Sequence, residues 1–125
     1  MLFVKTYLDT SKIHGIGLFA GEAIPKGTLI WKFVPGFDVI VSVKEFNAIP
    51  KVAQAWISRY GYKNGVGHVI CVDDARFFNH ADDHNTDDSD LEKTVAKRDI
   101  RKGEELTSNY FSYDAAAKLK FGKRK

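Results

Sequence analysis

A stretch near the middle of the chain, Ala75-Arg-Phe-Phe-Asn-His-Ala-Asp-Asp-His-Asn-Thr86, fits neither a helical nor a strand period. Phe77 and Phe78 run straight into Asn79 and His80, and two acids, His84 and Asn85 follow. Aromatic side chains in a non-repetitive segment pin it into a core. The amides and imidazoles beside them then need partners, because such groups are costly to bury unpaired. The fold is therefore constrained to wrap an anchored, irregular loop. A loop of this kind can build a binding site or simply cross a core.

The flanking chain divides into short pieces. Residues 2–7 read as a strand that ends in a loop at Asp9-Thr-Ser-Lys12. Gly15-Ile-Gly-Leu-Phe-Ala20 reads as a second strand, and its glycines mark either a bulge or a close approach by backbone or ligand. Ile24-Pro-Lys-Gly27 is a turn. Residues 28–34 form a strand broken by Pro35-Gly36, and residues 38–41 form another. Ser42 with Glu45 three residues on is a capping-box pattern and predicts a helix over 43–48. Pro50 suits the first turn of a second helix, which ends at Tyr60-Gly-Tyr62. Val52, Ala55, Trp56 and Tyr60 fall near helical spacing on it and are expected to pack into the core. Asn64-Gly65 predicts a hairpin between residues 60–62 and 67–72. Residues 87–90 read as an exposed acidic loop, 91–100 and 105–110 as strands, and 113–121 as a helix stopped by Gly122. Many short strands and few helices predict a mainly β fold with a small helical insert.

With 125 residues, one domain with one core is expected. No apolar run approaches the roughly 20 residues of a membrane span. The first residues lack a charged leader followed by an apolar region, so no secretory signal is expected and a cytoplasmic location is the default. A nuclear location would apply in a eukaryotic or viral setting. The single Cys71 excludes an intramolecular disulfide and a multi-cysteine zinc site. It lies in the apolar run Val69-Ile-Cys-Val72 and reads as core.

Net charge is +3, unevenly spread. From Asp73 to Glu92 there are eight acids and one base, Arg76. Such a stretch is either a solvated loop or a surface that steers a cationic partner. The basic end, Lys118 to Lys125, carries no aromatic–basic pattern, so direct nucleic-acid binding is not expected.

Three segments carry a family resemblance. Phe77-Phe78-Asn79-His80 followed by Asn85 resembles the Asn-His-Ser-Cys-x-Pro-Asn segment of SET-domain lysine methyltransferases. Glu105-Leu-Thr-Ser-Asn-Tyr110 resembles their Glu-Leu-Thr-x-Asp-Tyr segment, and Gly15-Ile-Gly17-Leu-Phe-Ala20 resembles their Gly-x-Gly strand. The three stand in the family's order and span most of the chain. The resemblance implies a minimal, single-domain form over residues 1–125. It implies a β-clip-like SET fold, 42–62 as the variable helical insert, and 111–125 as a C-terminal flanking helix and basic tail. It also implies a pseudoknot, with the C-terminal segment threaded beside Asn79-His80.

The implied activity is methyl transfer from S-adenosylmethionine, leaving S-adenosylhomocysteine, to lysine in a basic protein, histone-like or other. Tyr110 matches the catalytic position. Gly15, Ile16, Gly17, Asn79 and His80 match cofactor-binding positions, and Phe121 is expected to stack near the adenine. Tyr62, Phe111 and Tyr113 are candidates to line the lysine channel. The His80 side chain reads as a structural hydrogen-bonding group. No metal is implied. A second copy could complete the peptide groove as a homodimer. The chain departs from the family at Ala81, Asp82, His84, Ser108 and Asn109, which keeps open a non-catalytic SET-like module that binds cofactor or peptide. A third reading is a metal-dependent hydrolase using His80, Asp82, Asp83 and His84.

Overall fold

The computed structural model describes residues 1–90 and 92–112. Short paired strands build the fold: β1 (Thr6–Thr10), β2 (Ile16–Ala20), β3 (Leu29–Lys32) and β4 (Val39–Ser42) come first. Two helices follow, α1 (Val43–Ala48) and α2 (Lys51–Tyr60). Then come β5 (Tyr62–Lys63), β6 (Gly67–Ile70), β7 (Asn79–His80), β8 (Thr86–Asp87), β9 (Lys93–Ala96) and β10 (Thr107–Ser108). A 3₁₀ turn at Asp74–Phe77 precedes β7, and another at Tyr110–Ser112 follows β10. The order of pairing is β1-β2, β3-β9-β8, β4-β6-β5 and β10-β7. Among the ladders of the described residues, β7–β10 is parallel and the others are antiparallel. The fold is thus mainly β with a small helical part, as the sequence predicts. The predicted threading of the tail and the helix at 113–121 lie outside the described residues.

Several element boundaries differ from the sequence reading, each because a segment changes partner. Residues 2–3 pair with β3, through Phe3 N–H to the Ile30 carbonyl at 2.8 Å, whereas the first ladder with β2 starts only at Thr6. Asp9 and Thr10 belong to that ladder, opposite Gly17 and Ile16, and not to a loop. Residues 105–110 are not one strand. Leu106 N–H donates to the Leu18 carbonyl at 2.7 Å, and then Thr107 and Ser108 turn to pair with Asn79 and His80.

The capping box is present: Glu45 N–H donates to Ser42 Oγ at 3.1 Å, and Ser42 N–H donates to Glu45 Oε1 at 3.0 Å. Pro50 is the N-cap of α2, one residue before the expected first turn. The stripe assigned to the core is not buried. Val52, Ala55 and Trp56 are exposed, Tyr60 is half-buried, and Ile57 is the residue that α2 buries. The Asn64-Gly65 hairpin forms, with Tyr62 opposite Val69 and Lys63 opposite His68. The acidic loop is also only partly exposed, because Asp88 is buried at 8% relative exposure.

One core cluster joins Leu18, Ala20, Ile24, Ile30, Ala96, Ile100 and Leu106; a smaller one joins Trp31, Cys71 and Ala75. Phe78 packs against both clusters and Phe77 against the first, so the two aromatics anchor the irregular stretch as expected. Burial pushes the Cys71 thiol up to about 12, which leaves it inert at neutral pH. Among the described residues no helix is long and apolar enough to cross a membrane.

Candidate active site

The parallel pair β7–β10 organises the site. It sets Asn79 beside Thr107 and His80 beside Ser108, and so brings together two segments far apart in sequence. Asn85 locks the pairing from behind. Its side-chain NH₂ donates to the Glu105 carbonyl at 2.8 Å, and its Oδ1 accepts the Thr107 N–H at 2.9 Å. The Thr86 hydroxyl donates to the Thr107 carbonyl at 2.8 Å. Asn85 and Thr86 are buried at 3% and 0% exposure, so the polar groups of the irregular stretch are paired within the core.

Asn79 ties the Gly15 loop to this pair. Its side-chain NH₂ donates to Glu105 Oε2 at 2.9 Å, to the His14 carbonyl at 3.1 Å and to Ser11 Oγ at 3.2 Å. The Ile16 carbonyl lies 3.4 Å away. The Ser11 hydroxyl also reaches Glu105 Oε1, at 2.8 Å. Glu105 backs onto Gly17, where any Cβ would collide with its carboxylate, so Gly17 is needed for packing. Gly15 has φ of +50° and nothing within 4 Å of where a Cβ would stand.

His80 accepts the Tyr110 backbone N–H on Nδ1 at 3.1 Å. Its proton is therefore assigned to Nε2, which lies 3.3 Å from Asp82 Oδ1. The imidazole thus positions Tyr110, and its ring lies 5.5 Å from that of Tyr110 and 5.3 Å from that of Phe111. The Tyr110 hydroxyl donates a hydrogen bond to the Phe78 carbonyl.

Gly15, Ile16, Asn79, His80, Tyr110 and Phe111 all border one cleft of about 760 Å³. Gly17 is not on its wall; it is buried one layer behind. Tyr62 is not on that cleft either. It lines a second cavity of about 70 Å³ with Trp31, Cys71, Asp88, Thr94 and Ser108. Phe78, Tyr110, Tyr60, Arg59 and Arg76 border both spaces. Tyr113 and Phe121 lie outside the described residues.

The sequence reading missed Arg59, Tyr60, Arg76, Trp31 and Asp88. The aromatic cluster Tyr60-Gly61-Tyr62 at a helix end was the available signal for the first two. Tyr60 lies between Trp56, at 5.1 Å between ring centroids, and Phe77, at 6.2 Å. Asp88 offered no signal, because an acid among acids reads as surface. Burial pushes its carboxyl up, while hydrogen bonds from Thr94 and the Asn109 backbone pull the other way. Among the described residues no group of three or more His, Cys, Asp or Glu side chains is placed to hold a metal ion.

A mainly β domain with a parallel Asn-His pair, a ligand-sized cleft and a tyrosine at its inner edge defines the class. Residues 15–111 match the family model described as the SET domain, and the chain belongs to that family. Two solved structures share its fold. One is a chain from ctPRC2 in complex with H3K27me3 and H3K27M, at 24% identity and a TM-score of 0.59. That match covers 86% of this chain but only 14% of the ctPRC2 chain. The other is a candidate histone methyltransferase of Plasmodium falciparum, at 22% identity and a TM-score of 0.61, covering 86% of this chain and 93% of that one. A comparison with curated proteins finds no match.

Proposed function

We propose that this SET domain transfers a methyl group from S-adenosylmethionine to the side-chain amine of lysine in a basic protein. The observation that carries the reading is the bond from the Tyr110 hydroxyl to the Phe78 carbonyl, where the large cleft and the small cavity share their walls. Two oxygens at such a junction suit the transfer of a cationic methyl between a donor on one side and an amine on the other.

The cleft fits the donor on two counts. Its volume suits a nucleoside-sized ligand, and a Cβ on Gly15 would intrude into open space at its edge. When bound, S-adenosylmethionine supplies an electrophilic methyl on a sulfonium. Gly15, Ile16, Asn79 and His80 would hold it, with Gly17 and Glu105 keeping the loop in place from behind; Phe111, expected on the lysine channel, borders this same cleft and not the small cavity. The Tyr110 proton is committed to the Phe78 carbonyl, so towards an incoming amine its oxygen acts as an acceptor. It can orient an amine N–H and leave the nitrogen lone pair in line for attack. The lysine would enter past Tyr62 through the small cavity. We take 42–62 as the variable insert and 111–125 as the flank that completes the site.

The test is incubation with methyl-labelled S-adenosylmethionine and a panel of basic proteins, followed by mass spectrometry. Tyr110→Phe should lower kcat by ~10²–10³, by analogy with a lost oxyanion-hole donor. It should cost only about 0.5–1.5 kcal/mol of stability, for one hydrogen bond. Cofactor affinity should hardly change by calorimetry. A variant that methylates as fast as the parent would exclude Tyr110 from catalysis and favour a non-catalytic binding module.

A further inference from the structure

The small cavity beside the junction has an unusual polar lining. Trp31 and Asp88 are 5% and 8% exposed, and two of their atoms, Trp31 Nε1 and Asp88 Oδ2, make no hydrogen bond. Buried polar atoms without partners are rare and ask for a ligand or a water. Asp88 is held by the Thr94 hydroxyl, which Oδ1 accepts at 2.5 Å, and the Asn109 backbone N–H also bears on its carboxyl, while Oδ2 is left without a partner. One carboxylate oxygen is thus left to the cavity.

The cations that line the same space do not neutralise it. Arg59 and Lys93 are exposed and Arg76 is half-buried. The Arg59 guanidinium sits 5.5 Å from the Tyr60 ring centroid, and that of Arg76 sits 5.0 Å from the Phe77 ring centroid. Lys93 faces Asp90 at 4.0 Å. Among the described residues no ion pair includes Asp88.

We propose that Asp88 Oδ2 accepts an N–H of the substrate amine and so biases the enzyme towards lysine and monomethyl-lysine over dimethyl-lysine. The inference rests on the reading of the two spaces as a lysine methylation site. A neutral lysine that turns its lone pair to the methyl donor still carries two N–H bonds, monomethyl-lysine carries one, and dimethyl-lysine carries none. A carboxylate facing the last of these stays desolvated and unpaired, which is unfavourable. Asp88 is on this account a specificity residue, and Tyr110 remains the group at the transfer point.

Two measurements test it. The first compares kcat/KM for one peptide carrying unmodified, monomethylated or dimethylated lysine, in the parent and in Asp88→Asn. Asn keeps the shape and the Thr94 contact, but turns an N–H towards the amine. The ratio of unmodified to dimethylated substrate should fall by about tenfold or more in the variant. The second needs no turnover. The Trp31 indole N–H lies in the same cavity and is one of two indoles in the chain, assigned with Trp56→Phe. Its NMR shift should respond to butylamine at a Kd about tenfold or more below that for butyltrimethylammonium, which has the same charge but no N–H. That preference should vanish in Asp88→Asn. Ratios unchanged by the substitution overturn the proposal. So do equal responses to the two amines in the parent, a result that decides even if the variant fails to fold. Absence of methyl transfer by the parent removes the methyltransferase reading, while the amine titration still decides the role of Asp88.

Discussion

The Asn79 side chain bonds across three separate segments, at Ser11, at the His14 and Ile16 carbonyls and at Glu105. It is a strut as much as part of the wall of the large cleft. Asn79→Ala should cost about 1–3 kcal/mol of stability, because the Glu105 carboxylate loses a donor in a half-buried setting. By releasing the Gly15 loop it should also weaken S-adenosylmethionine binding. Denaturant titration with calorimetry on the same protein checks both, and unchanged values in each would remove Asn79 from the site. Asp88 makes a pH prediction. Burial raises its folded pKa above the ordinary 3.8, so the folded protein holds this proton more tightly than the unfolded chain does. Stability from this group is therefore full below 3.8 and is lost as pH rises through the raised value. Asp88→Asn cannot suffer that loss. Its melting temperature relative to the parent should climb from acid to neutral pH, and a difference independent of pH would contradict the burial argument. The acid run itself was plain in the sequence, but which of its members turns inward depends on Thr94 and on the walls around it.

Helix α2 separates what periodicity can and cannot tell. Its apolar spacing was legible and a helix forms there, but the face it buries is carried by Ile57, with Val52 79% exposed. A spacing pattern says that one side of a helix is apolar; it does not say which side meets the β6 ladder. Ile57→Ala should cost about 2–5 kcal/mol, the usual range for a buried Ile with the cavity it leaves. Val52→Ser should stay within about 0.5 kcal/mol. Equal midpoints in urea for the two variants would mean that the helix packs otherwise. α1, by contrast, was placed residue for residue, because its signal is local: Ser42 and Glu45 satisfy each other's backbone within one turn. The β7–β10 pair has the opposite character. Two residues on each side carry no period, and the Asn85 and Thr86 bonds to Thr107 and Glu105 help hold it in register, with Asn79 on Glu105 and His80 on the Tyr110 N–H.

Across the whole molecule, charge is segregated, with eight acids between Asp73 and Glu92 against a net charge of +3. With Asp88 inside, Asp87 and Asp90 are left to act outward. Asp87 stays ionised well into acid, because hydrogen bonds from Ser89 hold its carboxyl below the ordinary range. Asp87→Asn with Asp90→Asn should raise KM for a basic peptide at low salt, and the difference should shrink as salt screens the field. A KM insensitive to salt in both proteins would leave the acids as solvated surface only. Legible in the chain alone were the mainly β class, the capped helix, the Asn-Gly hairpin, the aromatic anchoring of the 75–86 stretch and the family. Each of these is written in short-range spacing or in a motif order that survives without coordinates. Visible only in three dimensions are the place of Glu105 behind Gly17, the bond from Tyr110 to the Phe78 carbonyl, and the turn of Asp88 into the wall of the small cavity. Gly17 and Glu105 are 88 positions apart, Phe78 and Tyr110 are 32, and Asp88 shares its cavity with Trp31, 57 positions away. They depend on packing and polar pairing between distant segments, which no local pattern encodes.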